Sequence, residues 1–215
     1  MGFKKSTANL LLSQKSFIKD GRILDVGCGK KIYRNIFINN EYIGIDVKIS
    51  GRKKEEKFAD LFFDGENIPF EDNYFDFIIC TEVLEHCTKS SKLVSEIFRV
   101  LKTKGRALIT VPFIWGEHEI PYDFRRFTSY GLKQEVKNAG FKIIKFQKDY
   151  EGFDSLIKVS LSEVKNYIGN EKFNIRLKLA RIILLASYKF LEYCLRIKAK
   201  RIYLTNQILV SKKNN

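Results

Sequence analysis

Ile23-Leu24-Asp25-Val26-Gly27-Cys28-Gly29-Lys30 decides how this chain is read. Three branched apolar residues around one acid make a buried strand, and two glycines then break it. Glycine suits that position because the backbone must turn tightly and approach a ligand with no Cβ in the way. A helix is expected next, near Ile32–Ile38, with its first N–H groups free to meet a carboxylate or phosphate. About twenty residues on, Tyr42-Ile43-Gly44-Ile45-Asp46 sets an acid at the end of a second strand. Such a carboxylate can accept hydrogen bonds from both hydroxyls of a ribose. A dinucleotide site wants a third glycine where Ile32 stands, so the nicotinamide reading weakens.

Outward from this unit, short β-branched runs alternate with helical stretches, the pattern of a parallel sheet with crossover helices. Strands are expected at Arg22–Val26, Tyr42–Ile45, Lys57–Ala59, Phe75–Cys80 and Ala107–Val111, and a sixth at Phe141–Phe146. Helices are expected before Asp20-Gly21, along Val83–Leu101 with a break around Thr88, and over Ser129–Ala139. Residues 152–201 change character to helical periodicity rich in Leu, Ile and Lys, and a last β-like run, Thr205–Val210, follows. The expectation is one α/β domain over 1–215, with 152–201 inserted between strands six and seven and those strands antiparallel at the sheet edge.

Lys and Arg outnumber Asp and Glu by 39 to 25, a net charge of +14. The excess favours anionic partners in general and selects none of them. Cys28, Cys80, Cys87 and Cys194 form no paired spacing, so neither a disulfide nor a structural zinc site is expected, and the compartment reads as reducing and cytoplasmic. Met1-Gly2-Phe3-Lys4-Lys5 is not followed by the apolar core of a secretory signal.

The remaining motifs carry a resemblance. Asp25-Val26-Gly27-Cys28-Gly29 resembles motif I of class I S-adenosylmethionine-dependent methyltransferases, and Gly44-Ile45-Asp46 their motif II. Phe58-Ala59-Asp60-Leu61 is similar to their third strand end. Ile68-Pro69-Phe70-Glu71-Asp72-Asn73-Tyr74-Phe75-Asp76, with Glu82-Val83-Leu84-Glu85-His86 and Val100-Leu101-Lys102-Thr103-Lys104-Gly105-Arg106, resembles the UbiE-like (type 11) subgroup. The third glycine of motif I is replaced by Lys31. The resemblance implies a Rossmann-like seven-stranded sheet flanked by helices, its last strand antiparallel, and S-adenosylmethionine as cofactor. It places Asp25, Gly27 and Gly29 around the methionine and sulfonium, Asp46 on the ribose, Asp60 and Leu61 at the adenine, and Thr81 and Glu82 near the sulfonium. At each acid a bland alternative stands beside this: a helix cap, a loop acid, a first-turn acid.

Neither an Asn/Asp-Pro-Pro-aromatic motif nor a Pro-Cys nucleophile is present, which disfavours a nucleobase acceptor. The stretch Trp115-Gly116-Glu117-His118-Glu119-Ile120-Pro121-Tyr122-Asp123-Phe124-Arg125-Arg126-Phe127-Thr128 follows the fifth strand, where loops line the ligand crevice. It is similar to a segment of bacterial methyltransferases encoded among polysaccharide-assembly genes, which implies a saccharide or glycolipid hydroxyl as acceptor. His118 is the candidate base, with Glu117 and Asp123 as alternatives and His86 as a further histidine. Asp123, Arg125 and Arg126 are candidate substrate contacts. The alternative is a local ion pair of Asp123 with an arginine and a helix cap at Thr128 or Ser129.

Between 174 and 199, Lys178, Arg181, Lys189, Glu192 and Arg196 form a narrow basic stripe on an otherwise apolar helix. Packing on the domain or on a second chain competes with a peripheral contact to the inner face of a membrane. A nucleic-acid face is the weakest of the three. An RNA methyltransferase and a non-catalytic module of the same fold remain the competing readings of the whole chain.

Overall fold

Ile23, Leu24 and Val26 are fully buried, as expected of a strand covered on both faces. The structure, a computed structural model, describes residues 2–168, 175–195 and 202–212. Strand β1 (Arg22–Val26) lies between β2 (Glu41–Val47) and β4 (Phe75–Thr81), parallel to both. With β3 (Leu61–Phe63), β5 (Leu101–Pro112), β6 (Phe141–Glu151) and β7 (Tyr203–Lys212) the sheet has seven strands in the order β3-β2-β1-β4-β5-β7-β6, β7 antiparallel. The expected Rossmann-like architecture is the observed one.

Alternate residues of the central strands supply two separate cores. Ile23, Phe77, Ile79 and Leu108 face one side, where Leu10 and Leu11 of α1 (Gly2–Leu12) pack with Ile18 and Phe37. Leu24, Val26, Ile78 and Ile109 face the other, under Leu93, Val94 and Ile97 of α2 (Ser90–Val100) and Leu132 and Val136 of α3 (Ser129–Asn138). Thr128 caps α3, its hydroxyl accepting the Gly131 N–H at 3.0 Å. Strand order reverses between β1 and β4, and this places the crevice at their carboxyl ends.

Three local expectations are corrected. The third strand lies at Leu61–Phe63, not Lys57–Ala59, and pairs with Ile45–Val47 just after Asp60 binds Gly44. The Asp60 N–H donates to Gly44 O and the Asp60 carboxylate accepts the Gly44 N–H. The helix expected over Ile32–Ile38 is a single 3-10 turn, Arg34–Phe37. Lys31 adopts a left-handed conformation (φ 48°), with its amine 2.5 Å from Asp60, and this stops a helix from starting there. The fifth strand, expected from Ala107, instead begins at Leu101 directly after α2, with Lys104 left-handed (φ 66°) and a register shift opposite Phe75 and Phe77.

The chain divides into two compact units. One holds Met1–Pro112, Glu117–Gln147 and Asn206–Asn215; the other holds Phe113–Gly116 and Lys148–Thr205. Within the second, α4 (Phe153–Ile168) and α5 (Ile175–Leu195) pack together, and Phe113 stacks on Tyr203. Ile182, Ile183 and Phe190 of α5 are more than half exposed. Arg196 of the expected basic stripe lies outside the described residues. Among those residues no helix is long and apolar enough to cross a membrane.

Candidate functional site

A cavity of about 450 Å³ opens at the carboxyl ends of β1, β2 and β4, entirely within the first unit. Gly27, Asp46 and Glu82, each just at or beyond a strand end, line it. Gly27 has a φ of 65°, and a Cβ there would lie 2.4 Å from Val83 Cγ2, so both backbone conformation and packing require glycine.

Asp46 is buried and joins the two strand ends. Its Oδ2 accepts the Gly29 N–H at 3.1 Å, and Oδ1 accepts the Val47 N–H at 2.8 Å. Each oxygen keeps lone-pair capacity toward the cavity, as a diol of a ribose needs. Val47, Ile49 and Phe63 give the adjoining wall an apolar character suited to a planar base. The residues present therefore fit an adenosyl group.

The other expected cofactor contacts stand further back. Asp25 is buried beneath the site and accepts the Tyr42 hydroxyl at 2.5 Å. Burial pushes its carboxyl up to about 7, with the Asp46 charge adding to that and the Tyr42 bond and Lys31 opposing it. Gly29 acts through its N–H on Asp46. Asp60 is taken up by Lys31 and Gly44, while Leu61, on an edge strand, is 41% exposed. Asp60, Leu61 and Thr81 do not line the cavity. The end of the true β3 does: Phe63, Asp64 and Gly65. Asp64 accepts the N–H groups of Glu66 and Asn67, which hold its carboxyl down at about 2. The Asp-Gly pair a few residues before Ile68-Pro69-Phe70 was the signal that could have located this strand end.

Glu82 has a left-handed backbone (φ 54°), and its carboxylate accepts the Thr110 hydroxyl at 2.7 Å. Beyond it, Glu85 and His86, expected within a helix from Val83, lie on the separate 3-10 turn Leu84–His86. Glu85 is fully buried, and burial with the Glu82 charge pushes its carboxyl well above the ordinary range. His86 lines the cavity, its Nδ1 lies 2.8 Å from Tyr122 O, and burial lowers its pKa. A carbonyl only accepts, so in the neutral ring Nδ1 carries the proton and Nε2 the lone pair.

The stretch after β5 reaches the cavity through Glu119, Tyr122 and Phe124. Glu119 pairs with Arg52 at 2.6 Å, and a Cβ on Gly51 would lie 2.1 Å from Glu119 O, so this close approach requires glycine as well. His118 stands one ring behind the wall, edge-on to His86 with centroids 4.9 Å apart. Its Nδ1 lies 3.2 Å from Asp123 Oδ2. Arg126 binds Asp123 through both terminal nitrogens and holds that carboxyl at about 2. Arg125 donates to Thr88 O and Ser90 Oγ at the start of α2. Asp123, Arg125 and Arg126 thus fasten the loop to the fold, and Glu117 is exposed.

The profile of a family described as "Methyltransferase domain" matches residues 24–109. The uncharacterized protein MJ0638 of Methanocaldococcus jannaschii is 32% identical over 169 residues, 74% of this chain and 73% of that protein. The crystal structure of the [4+2]-cyclase SpnF superposes with a TM-score of 0.64 at 18% identity, covering 98% of this chain and 82% of that one. The phosphoethanolamine N-methyltransferase 2 of Haemonchus contortus, in complex with S-adenosyl-L-methionine, gives 0.59 at 18% identity, over 97% of this chain and 53% of that one. These two likenesses show the shared fold. By the family match and the archaeal relative, the chain belongs to the class I S-adenosylmethionine-dependent methyltransferases, in the family of this methyltransferase domain.

Proposed function

We propose that this protein methylates a hydroxyl of a small polar acceptor, a saccharide or glycolipid, with Asp46 holding the cofactor ribose and Gly27 and Gly29 passing beside its methionine end. The observation that carries the reading is the convergence of Gly27, Asp46 and Glu82 on one cavity whose far wall is Glu119, Tyr122 and Phe124. Aromatic faces and carboxylates together suit a polyol, with C–H groups against a ring and hydroxyls on the acid. S-adenosylmethionine, when bound, supplies an already electrophilic methyl group. The chain's own part is to orient the acceptor and exclude water. It must also take the hydroxyl proton, a role given to His118 together with the His86 ring in front of it. Residues 152–201 are read as an insertion in a single domain over 1–215. The exposed apolar residues of α5 support a peripheral contact with the membrane that bears a lipid-linked acceptor.

Isothermal titration with S-adenosylhomocysteine tests the cofactor site. Asp46→Ala should weaken binding by about 100-fold or more, the loss of two hydrogen bonds to a charged acceptor. Unchanged affinity in that variant removes the assignment. Methyl transfer from isotope-labelled cofactor to a panel of sugars, glycolipids and transfer RNA tests the acceptor, and label in RNA alone would replace the saccharide reading.

A further inference from the structure

At the wall where His86 meets the cavity, one carboxyl group and two imidazoles converge. Both oxygens of Glu85 are buried and without a hydrogen-bond partner among the described residues, and so is His86 Nε2. These two groups are 3.8 Å apart, too far for a hydrogen bond between them. One ring nitrogen of His118 joins them, so that the three ligand atoms lie within 4.8 Å of one another. Buried acceptors left unmatched cost on the order of 1–3 kcal/mol each, more if charged. A single cation there would displace the proton that burial keeps on Glu85 and satisfy both Glu85 and His86 Nε2, with His118 as the third ligand.

We propose that Glu85, His86 and His118 bind one divalent transition-metal ion at the edge of the acceptor cavity. The surroundings are those of a metal centre. Tyr122 O takes His86 Nδ1 at 2.8 Å, and Asp123, clamped by Arg126, takes His118 Nδ1 at 3.2 Å. A carbonyl or carboxylate behind each imidazole is the usual way to orient a ligating ring. Glu82, which lines the same cavity, adds negative charge close to Glu85. Two nitrogens and one carboxylate favour the manganese-to-zinc series over magnesium or calcium, which prefer all-oxygen shells. Three protein ligands leave positions open toward the cavity, as catalytic rather than structural sites do. An acceptor hydroxyl entering there would become a ligand and be acidified by the ion; with the ion bound the two imidazoles serve as ligands, and the base role proposed for them above passes to the Glu82 carboxylate on the same cavity. The ion site stands on residues of this chain whichever molecule is methylated.

The test uses the full chain in a Cys194→Ser background, which removes an exposed thiol. Chelator-stripped protein is titrated with Co2+, followed by calorimetry and by visible d–d absorption. One equivalent should bind with a Kd of about 10 µM or tighter, be displaced by Zn2+, and be unaffected by equimolar Mg2+. Glu85→Gln, which preserves shape, and His118→Gln and His86→Ala should each weaken binding about tenfold or more, with circular dichroism reporting that the fold is retained. Asp46→Ala should bind Co2+ normally, so that loss of the cofactor reading and loss of the ion site are separate results. Absence of binding at about 100 µM Co2+, or equal affinity in all three ligand variants, overturns the proposal.

Discussion

Asp25 ties the stability of this protein to pH in a direction opposite to that of most carboxylates. It is buried at the end of β1 with the Tyr42 hydroxyl on one oxygen, and burial raises its carboxyl from 3.8 to about 7. The unfolded chain releases this proton near 3.8, whereas the folded protein keeps it until about 7. Over that interval the folded state binds more protons, so stability falls as pH rises. The group costs nothing below the unfolded value and its full penalty above the folded one. At about 1.4 kcal/mol per pH unit the penalty reaches about 4 kcal/mol, of which about 3 kcal/mol develops between roughly pH 5 and 8. Asp25→Asn removes the titration and keeps an oxygen for Tyr42. Urea unfolding of both proteins, followed by far-ultraviolet circular dichroism across that range, should therefore show the variant gaining on the parent by about 3 kcal/mol with rising pH. A difference constant to within about 1 kcal/mol would mean that Asp25 is already ionised in the folded protein, and the argument would fail.

Three further outcomes are expected. Gly27→Ala should destabilise by about 2–4 kcal/mol from its left-handed backbone and the contact with Val83. Adding Val83→Ala should recover the steric part alone, which a double-mutant cycle in urea would read. Arg99→Ala should cost about 2–3 kcal/mol in thermal unfolding, because its guanidinium, paired with Glu96 on α2, holds Ile68 O and Phe70 O of the segment before β4 against that helix. Lys31→Ala should let Asp60, now held below its ordinary value, titrate higher, measurable from its carboxyl carbon-13 shift against pH.

What the sequence makes legible is whatever a strand or a strand end dictates locally. β1, β4 and β5 bury both faces, so their apolar runs cannot be read otherwise. Gly27, Asp46 and Glu82 meet because neighbouring parallel strands end together, a consequence of topology alone. The edge strand β3 is three residues long and half exposed, and its weak pattern allowed it to be read four residues early. Residues 32–38 carry the spacing of a helix, but the ion pair of Lys31 with Asp60 fixes a left-handed residue at its start, and no local rule contains that pairing. Arg52 and Glu119 are 67 positions apart and meet through loops with no periodicity to betray them. His86 shows best where sequence reasoning stops. Counted as part of a helix it is one more ring among core residues. The helical turn ends at His86, which allows the ring to reach Tyr122 O and leaves Nε2 beside Glu85, both without a hydrogen-bond partner among the described residues. A fold shaped for stability alone would have matched or removed such a pair. Its persistence beside the cavity, where local rules of burial are broken without any structural return, is what marks this corner as a place of chemistry.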